Sequence, residues 1–334
     1  MDCSGPGIGR VRRGKGFSYH EESGERIADQ DVVERIRALA IPPAWEEVWI
    51  CSDPRGHIQA TGIDAAGRKQ YRYHDDWRAG RDRQKFDEML DFAHRLPKLR
   101  ERIGAGLAAR GLVRERVCAA AVALLDLGLF RIGSERYEDE NESYGLTTLK
   151  VRHLRFEGGA AIFTYPAKSG QESSHVIADP IVVKVLRALA KRGRGGDNLL
   201  TFRAGREWHH LGPADVNGWI KEAIGEQFSA KDFRTWNATV VAAMVLAEHA
   251  DDVAKGAKRA SRKRIERIAI ETAAEHLNNT PAVCRASYID PRIFDRFDAG
   301  QTIAGSLQRL ERRSGAGEFV ERAAIERAVV GLLD

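Results

Sequence analysis

Residues 114–130 constrain the fold more than any other stretch. After its first turn this segment is apolar on every side of the helix it would form, and Asp126 is its one charged interruption. A helix apolar all round cannot face water and has to be enclosed by other elements. The pattern predicts a central buried helix and a domain large enough to surround it. With 334 residues the chain has room for that domain and a second, smaller one. The apolar run is too short to cross a bilayer.

Hydrophobic residues at 43% and charged residues at 30% describe a soluble globular protein. The net charge of +5 is compatible with a polyanionic partner. The four cysteines, Cys3, Cys51, Cys118 and Cys284, are scattered, and no two have metal-ligand spacing. A zinc site is not expected, and single cysteines suit a reducing compartment. No apolar run follows the basic N-terminal residues, so no signal peptide is expected. These features predict a cytoplasmic, nucleoid-associated protein with no membrane partner.

The first part of the chain reads as strands. Residues 1 to about 30 are rich in Gly, Arg and Ser and suggest a flexible arm leading to a strand near Phe17–Tyr19. A helix is expected over 29–39, stopped by Pro42 and Pro43. Short strands follow at 45–50, 57–62 and 68–73, punctuated by turns. Domain boundaries of 1–82 and 83–334 are expected, with the linker near 79–86. The last strand interleaves cations with aromatics. Alternation sends Arg68, Gln70 and Arg72 to one face, and Lys69, Tyr71 and Tyr73 to the other. Such a strip can pair cations with phosphates while Gln and Tyr reach bases or sugars. A solvated edge strand with two packed tyrosines explains it equally well. Arg78, Arg81, Arg83 and Lys85 follow closely and favour the nucleic-acid reading.

The second part reads as mainly helical. Helices are expected over 87–109, broken near Pro97, and over 114–130, 180–192, 212–224, 228–247 and 253–276. A small three-stranded antiparallel sheet is expected over 151–177, with Lys168 at the tip of its second hairpin. Arg131 closes the apolar helix, where it can simply serve the helix dipole or be a pre-organised cation. Lys231 and Arg234 share one face at a helix start, a position that favours anions. The acidic run 138–142 reads as a solvated loop. The helix over 253–276 is dense in Lys and Arg and suits DNA-backbone contact. The tail 303–333 has weak helical pattern and no assignable role. The fold class is therefore α+β: a β-rich N-terminal domain, then a larger, mainly helical domain with a small three-stranded sheet.

Several local motifs occur in one order. They are Phe130-Arg-Ile-Gly-Ser-Glu-Arg-Tyr137 with Asn141-Glu-Ser-Tyr-Gly-Leu-Thr-Thr-Leu149, then Lys168-Ser-Gly170. Next come Lys231-Asp-Phe-Arg-Thr-Trp-Asn-Ala238, and Asn279-Thr-Pro281 followed by Ser287-Tyr288. From about residue 30 to 295 the chain closely resembles type IB DNA topoisomerases of the poxvirus-like and bacterial branch. Gln70-Tyr-Arg-Tyr73 looks like that family's base-contacting strand. The resemblance implies that Arg131 and Arg234 bind the scissile phosphate and that Lys168 protonates the leaving 5′-oxygen. Tyr288 would form a 3′-phosphotyrosine, and Asn279 would donate a hydrogen bond where many relatives have histidine. Asn278 is the alternative if the register differs by one, and Lys231 is a further donor. A monomer clamped around double-stranded DNA, relaxing supercoils of both signs, is implied.

The chemistry supports the set independently. A tyrosine hydroxyl is protonated and weakly nucleophilic at neutral pH. Attack on a phosphodiester builds charge on the nonbridging oxygens, which paired arginines offset without a metal. The leaving alkoxide needs a proton, which a lysine supplies. The bond energy stays in the covalent link, so no ATP, metal or other cofactor is expected. A tyrosine recombinase or integrase uses a similar set. Recombinases usually show His-x-x-Arg where this chain has Lys231-x-x-Arg234, and their N-terminal domain is typically helical.

Overall fold

The computed structural model describes residues 3, 5–14, 16–128, 130–133, 143–167, 172–250, 259–312 and 318–334, without the side chains of 79, 82, 128, 259, 260, 311 and 318–321. The chain packs as two compact units, Met1–Asp87 and Glu88–Asp334.

The N-terminal unit is built on a five-stranded sheet of order β2-β1-β3-β4-β5. Its strands are β1 (Ile8–Arg13), β2 (Gly16–His20), β3 (Glu46–Ile50), β4 (Ile58–Ile63) and β5 (Lys69–Tyr73). Helix α1 (Gln30–Ala38) starts where Asp29 caps it, its carboxylate accepting the Asp31 and Val32 N–H groups at 2.9 and 3.4 Å. Ile36 of this helix packs with Ile8, Val48, Ile50 and Ala60 in one small core. The expected flexible arm is corrected here, because β1 and β2 form an antiparallel hairpin inside the sheet. Ile8 is buried in the core, and Arg10 ties the hairpin down by donating to the carbonyls of Pro42 and Trp45. A strip of alternating residues, Ile-Gly-Arg-Val-Arg, was hidden by its glycine and arginine content.

The C-terminal unit is helical around the predicted apolar helix. Its helices are α2 (Asp75–Leu107, which begins in the residues of the first unit), α3 (Arg114–Gly128), α4 (Pro180–Ala190) and α5 (Pro213–Ile224). They continue with α6 (Ala230–Glu248), α7 (Arg259–Leu277), α8 (Pro281–Ser287), α9 (Arg292–Asp298), α10 (Ala304–Glu311) and α11 (Glu318–Leu333). In α3 every residue from 117 to 126 is buried, as a helix without a polar face requires. Helix α2 runs through Pro97 without the expected break, and residues 79–86 belong to it. Proline removes one helical hydrogen bond. Phe92, Leu96 and Leu99 are buried beside it, and Phe92 packs edge-on to Phe233 at 5.0 Å, so packing holds the helix together.

Asp126, the interruption in the apolar run, is buried and has two arginine partners. Arg100 grips it with two hydrogen bonds of 2.8 and 2.9 Å, and Arg322 reaches it at 3.2 Å. Burial alone would raise the Asp126 carboxyl. The Arg322 and Arg100 cations outweigh that effect and hold it below the usual carboxylate range.

The predicted three-stranded sheet is present as β6 (Leu154–Glu157), β7 (Ala160–Pro166) and β8 (Glu172–Ile177), in the order β6-β7-β8. A second hairpin, β9 (Thr201–Ala204) with β10 (Glu207–His210), was not expected beyond an extended segment at 199–202. No described helix is long and apolar enough to cross a membrane. The acidic run 138–142 and the hairpin tip with Lys168 lie outside the described residues.

Candidate active site

The C-terminal end of α7 organises the site. Asn278 takes a left-handed conformation (φ 49°) and ends the helix. Its N–H donates to the Glu275 carbonyl at 3.0 Å, and the Asn279 N–H donates to the Ala274 carbonyl at 2.9 Å. This is a helix-terminating motif in which asparagine replaces the usual glycine. It leaves the Leu277 and Asn278 carbonyls pointing outward at the negative end of the helix dipole. Arg234 donates to the Leu277 carbonyl at 2.6 Å. Arg131 donates to the Asn278 carbonyl at 2.7 Å and to the Asn279 amide oxygen at 2.6 Å. One helix end therefore holds both arginines. Arg131 does serve a helix terminus, but that of α7 rather than of the helix preceding it.

Arg131 is delivered by a backbone crossing. Gly133 (φ 83°) meets Gly145 so closely that a Cβ on Gly145 would lie 2.4 Å from the Gly133 Cα and 2.9 Å from the Arg131 carbonyl oxygen. The crossing is stitched by the Leu146 N–H to the Arg131 carbonyl (2.7 Å) and the Thr147 N–H to the Ile132 carbonyl (2.9 Å). Arg234 comes from the second turn of α6. Ser229 caps that helix, and its N–H donates to the Asp232 carboxylate at 2.7 Å. Arg234 is only 6% exposed. Burial, with the neighbouring Arg131 cation, pushes its guanidinium down to about 10, so it stays charged at neutral pH.

Tyr288 closes α8, its N–H donating to the Cys284 carbonyl at 2.9 Å. The Arg234 guanidinium carbon lies 5.5 Å from the centre of the Tyr288 ring and the two side chains are hydrogen-bonded. The backbone after the tyrosine is pinned to α6. The buried Thr239 hydroxyl bonds the Tyr288 carbonyl (3.4 Å) and accepts the Asp290 N–H (3.1 Å). Asp290, fully buried, takes the Arg292 guanidinium at 2.7 Å.

These side chains surround a cavity of about 310 Å³ lined by Arg131, Lys231, Arg234 and Tyr288, together with Ser143 and Tyr144. Lys231 is exposed on the first turn of α6. Asn279 is not among the lining residues. Because a guanidinium only donates, its amide oxygen faces Arg131, and its buried amide nitrogen has no partner among the described residues. Ser143, Tyr144 and Gly145 escaped sequence reasoning as site residues, and the Gly133–Gly145 pair is the signal that could have found them. Among the described residues, no group of three or more His, Cys, Asp or Glu could hold a metal ion.

In the N-terminal unit β5 is an edge strand with the expected alternation. Lys69 lies 6.0 Å over the Tyr71 ring, Tyr71 stacks on Tyr73 at 6.1 Å, and Tyr73 stacks on Trp77 at 4.6 Å. On the other face Arg68 and Gln70 converge on Asp64, at 2.9 and 2.8 Å. Hydrogen bonds, first from the Arg68 N–H and then from its guanidinium, hold the Asp64 carboxyl down at about 2. Arg72 is half-buried on the same strand.

Comparison with known proteins identifies the family. The family model for the catalytic core of eukaryotic DNA topoisomerase I matches residues 74–310, and that for the N-terminal domain of bacterial DNA topoisomerase IB matches residues 16–64. The chain is 30% identical over 289 residues to DNA topoisomerase 1B of Acanthamoeba polyphaga mimivirus, covering 85% of each protein. It is 24% identical over 240 residues to DNA topoisomerase 1 of Mycosarcoma maydis, covering 66% of this chain and 23% of that protein. The match to DNA topoisomerase 1 of Drosophila melanogaster is 29% over 157 residues, 44% of this chain and 15% of that one. The chain belongs to the type IB DNA topoisomerase family.

Proposed function

We propose that this enzyme relaxes positive and negative supercoils by cutting and resealing one strand of duplex DNA through Tyr288, without ATP or a metal ion. The observation that carries the reading is the pair of arginines held by one helix end beside Tyr288 in a common cavity. In the proposed reaction the Tyr288 oxygen attacks phosphorus and loses its proton to water. The bond from phosphorus to the 5′-oxygen breaks, leaving a 3′-phosphotyrosine. Arg131 and Arg234 donate to the nonbridging oxygens where charge builds up. Their carbonyl partners fix them before the substrate arrives, so little reorganisation accompanies the reaction. Lys168 gives its proton to the leaving 5′-oxygen, and Lys231 adds a donor at the rim. Resealing runs these steps backward, driven by the energy kept in the phosphotyrosine.

Asn279 holds Arg131 in place through its amide oxygen, and its amide nitrogen is the donor proposed for a phosphate oxygen. We further propose that Arg68, Lys69, Gln70, Tyr71, Arg72 and Tyr73 contact DNA, so that a monomer grips the duplex as a clamp. A cytoplasmic, nucleoid-associated location fits this role. The test is relaxation of positively and negatively supercoiled plasmid with chelator present and ATP absent. Relaxation of both signs is expected. Failure to relax either, or a strict need for a divalent cation, would overturn the proposal.

A further inference from the structure

The C-terminal helix α11 lies beyond the catalytic-core match, which ends at residue 310. It nevertheless contributes two charges to a buried network. Arg322 donates to the Asp126 carboxylate at 3.2 Å and to the Asn237 amide oxygen at 2.9 Å, and its Nε lies 3.2 Å from Glu326. Arg100 bridges both carboxylates, reaching Glu326 at 2.6 Å and Asp126 at 2.8 Å. Asp126, Glu326 and Asn237 are each buried. Two cations and two carboxylates balance, so the group is neutral as a whole.

The position of this network matters more than its strength, since buried ion pairs are weak evidence for stability. Asp126 is on α3, the helix that ends just before Arg131. Asn237 lies about one turn after Arg234 on α6. Arg322 touches both. Its guanidinium spans α6, which carries Arg234, and α3, which leads into the segment that carries Arg131. The Asn237 amide nitrogen is buried without a partner among the described residues, so its bond to Arg322 is the contact that orients the amide.

We propose that Arg322, held by Glu326, is a positioning residue for DNA cleavage: it sets the spacing of Arg131 and Arg234 by joining α3 to α6 through Asp126 and Asn237. This rests on the proposed function, in which both arginines bind one phosphate. A phosphate gripped by two guanidiniums is sensitive to their separation, because misplacement by about 1 Å costs up to ~10²-fold in rate.

The experiment measures single-turnover cleavage of a duplex with the full-length enzyme in excess, DNA affinity, and folding by circular dichroism. Arg322→Ala is expected to slow cleavage by about 10-fold or more with affinity unchanged within about 2-fold. A purely structural role would lower the folded fraction and leave the rate of the folded enzyme alone. The second readout is a cycle with Arg234→Ala. If Arg322 acts through Arg234, then Arg322→Ala slows the Arg234→Ala enzyme by less than about 2-fold. Should Arg322→Ala not fold, Arg322→Lys keeps the charge but loses the fork shared with Asn237, and slowed cleavage is again expected. Wild-type cleavage by either folded variant, or the same fold loss with and without Arg234, overturns the inference. Absence of cleavage in the unmodified enzyme would instead overturn the proposed function.

Discussion

Gly145→Ala is the sharpest structural perturbation of the site. The added Cβ would lie 2.4 Å from the Gly133 Cα, 2.5 Å from the Gly133 nitrogen and 2.9 Å from the Arg131 carbonyl oxygen. Carbon atoms rest at about 3.5–4.0 Å, so the two strands of the crossing must part by roughly 1 Å. All three atoms are backbone, so no side-chain rotation relieves the clash. Parting strains the Leu146 and Thr147 N–H bonds that stitch the crossing. Overpacking of this kind costs about 1–3 kcal/mol. Arg131 is attached to the displaced strand, and a shift of about 1 Å costs up to ~10²-fold in cleavage. Single-turnover cleavage and urea unfolding measure the two effects on one sample. Gly218→Ala is the control: a Cβ there meets nothing within 4 Å, and alanine in a helix gains about 0.5–1 kcal/mol over glycine. It should leave cleavage unchanged. Wild-type cleavage by Gly145→Ala at wild-type stability would refute the idea that the crossing positions Arg131.

Asn279→Asp places a carboxylate against Arg131 and makes it compete with the phosphate. Cleavage should fall further than in Asn279→Ala, and equal or faster cleavage by the aspartate variant would count against an orienting role. Lys168→Ala should slow cleavage far less on a substrate with a better 5′ leaving group, whereas equal slowing on both substrates removes Lys168 as the acid. Asp126 has a lowered folded pKa, so its contribution to stability is complete above its unfolded value near 3.9 and is lost as pH falls through the folded value. Urea unfolding of the wild type should therefore weaken below about pH 4, and Asp126→Asn should be less stable at neutral pH with a flatter acid limb. An identical acid limb would contradict the assigned charge state.

The sequence and the structure agree best where one pattern decides the outcome. The all-round apolar helix and the alternation on β5 follow from local rules. The misreadings come from tertiary override. Pro97 stays helical because Phe92, Leu96 and Leu99 bury its face, and the β1–β2 hairpin forms because Ile8 and Arg10 find partners far along the chain. At the site, Arg131, Lys231, Arg234 and Tyr288 were picked out by type and order, and the structure brings these four around one cavity, while Lys168 lies outside the described residues. How they are held was not legible. That both arginines donate to carbonyls at the end of α7 depends on a three-dimensional meeting of three distant segments. Asp126 looked like a flaw in an apolar helix until Arg100 and Arg322 met it. The C-terminal tail had no readable role for the same reason: its weak pattern hides two residues whose partners are about 200 positions away.

The most direct measurement is the covalent link itself. A duplex labelled at the 5′ end of the cleaved strand is incubated with the enzyme and denatured during turnover, and the labelled adduct is digested and sequenced by mass spectrometry. The label should travel with the protein, on the peptide that contains Tyr288, and Tyr288→Phe should bind the duplex normally but form no adduct. An adduct on another residue, transfer of the label in Tyr288→Phe, or capture of a 3′-end label in its place would contradict the account.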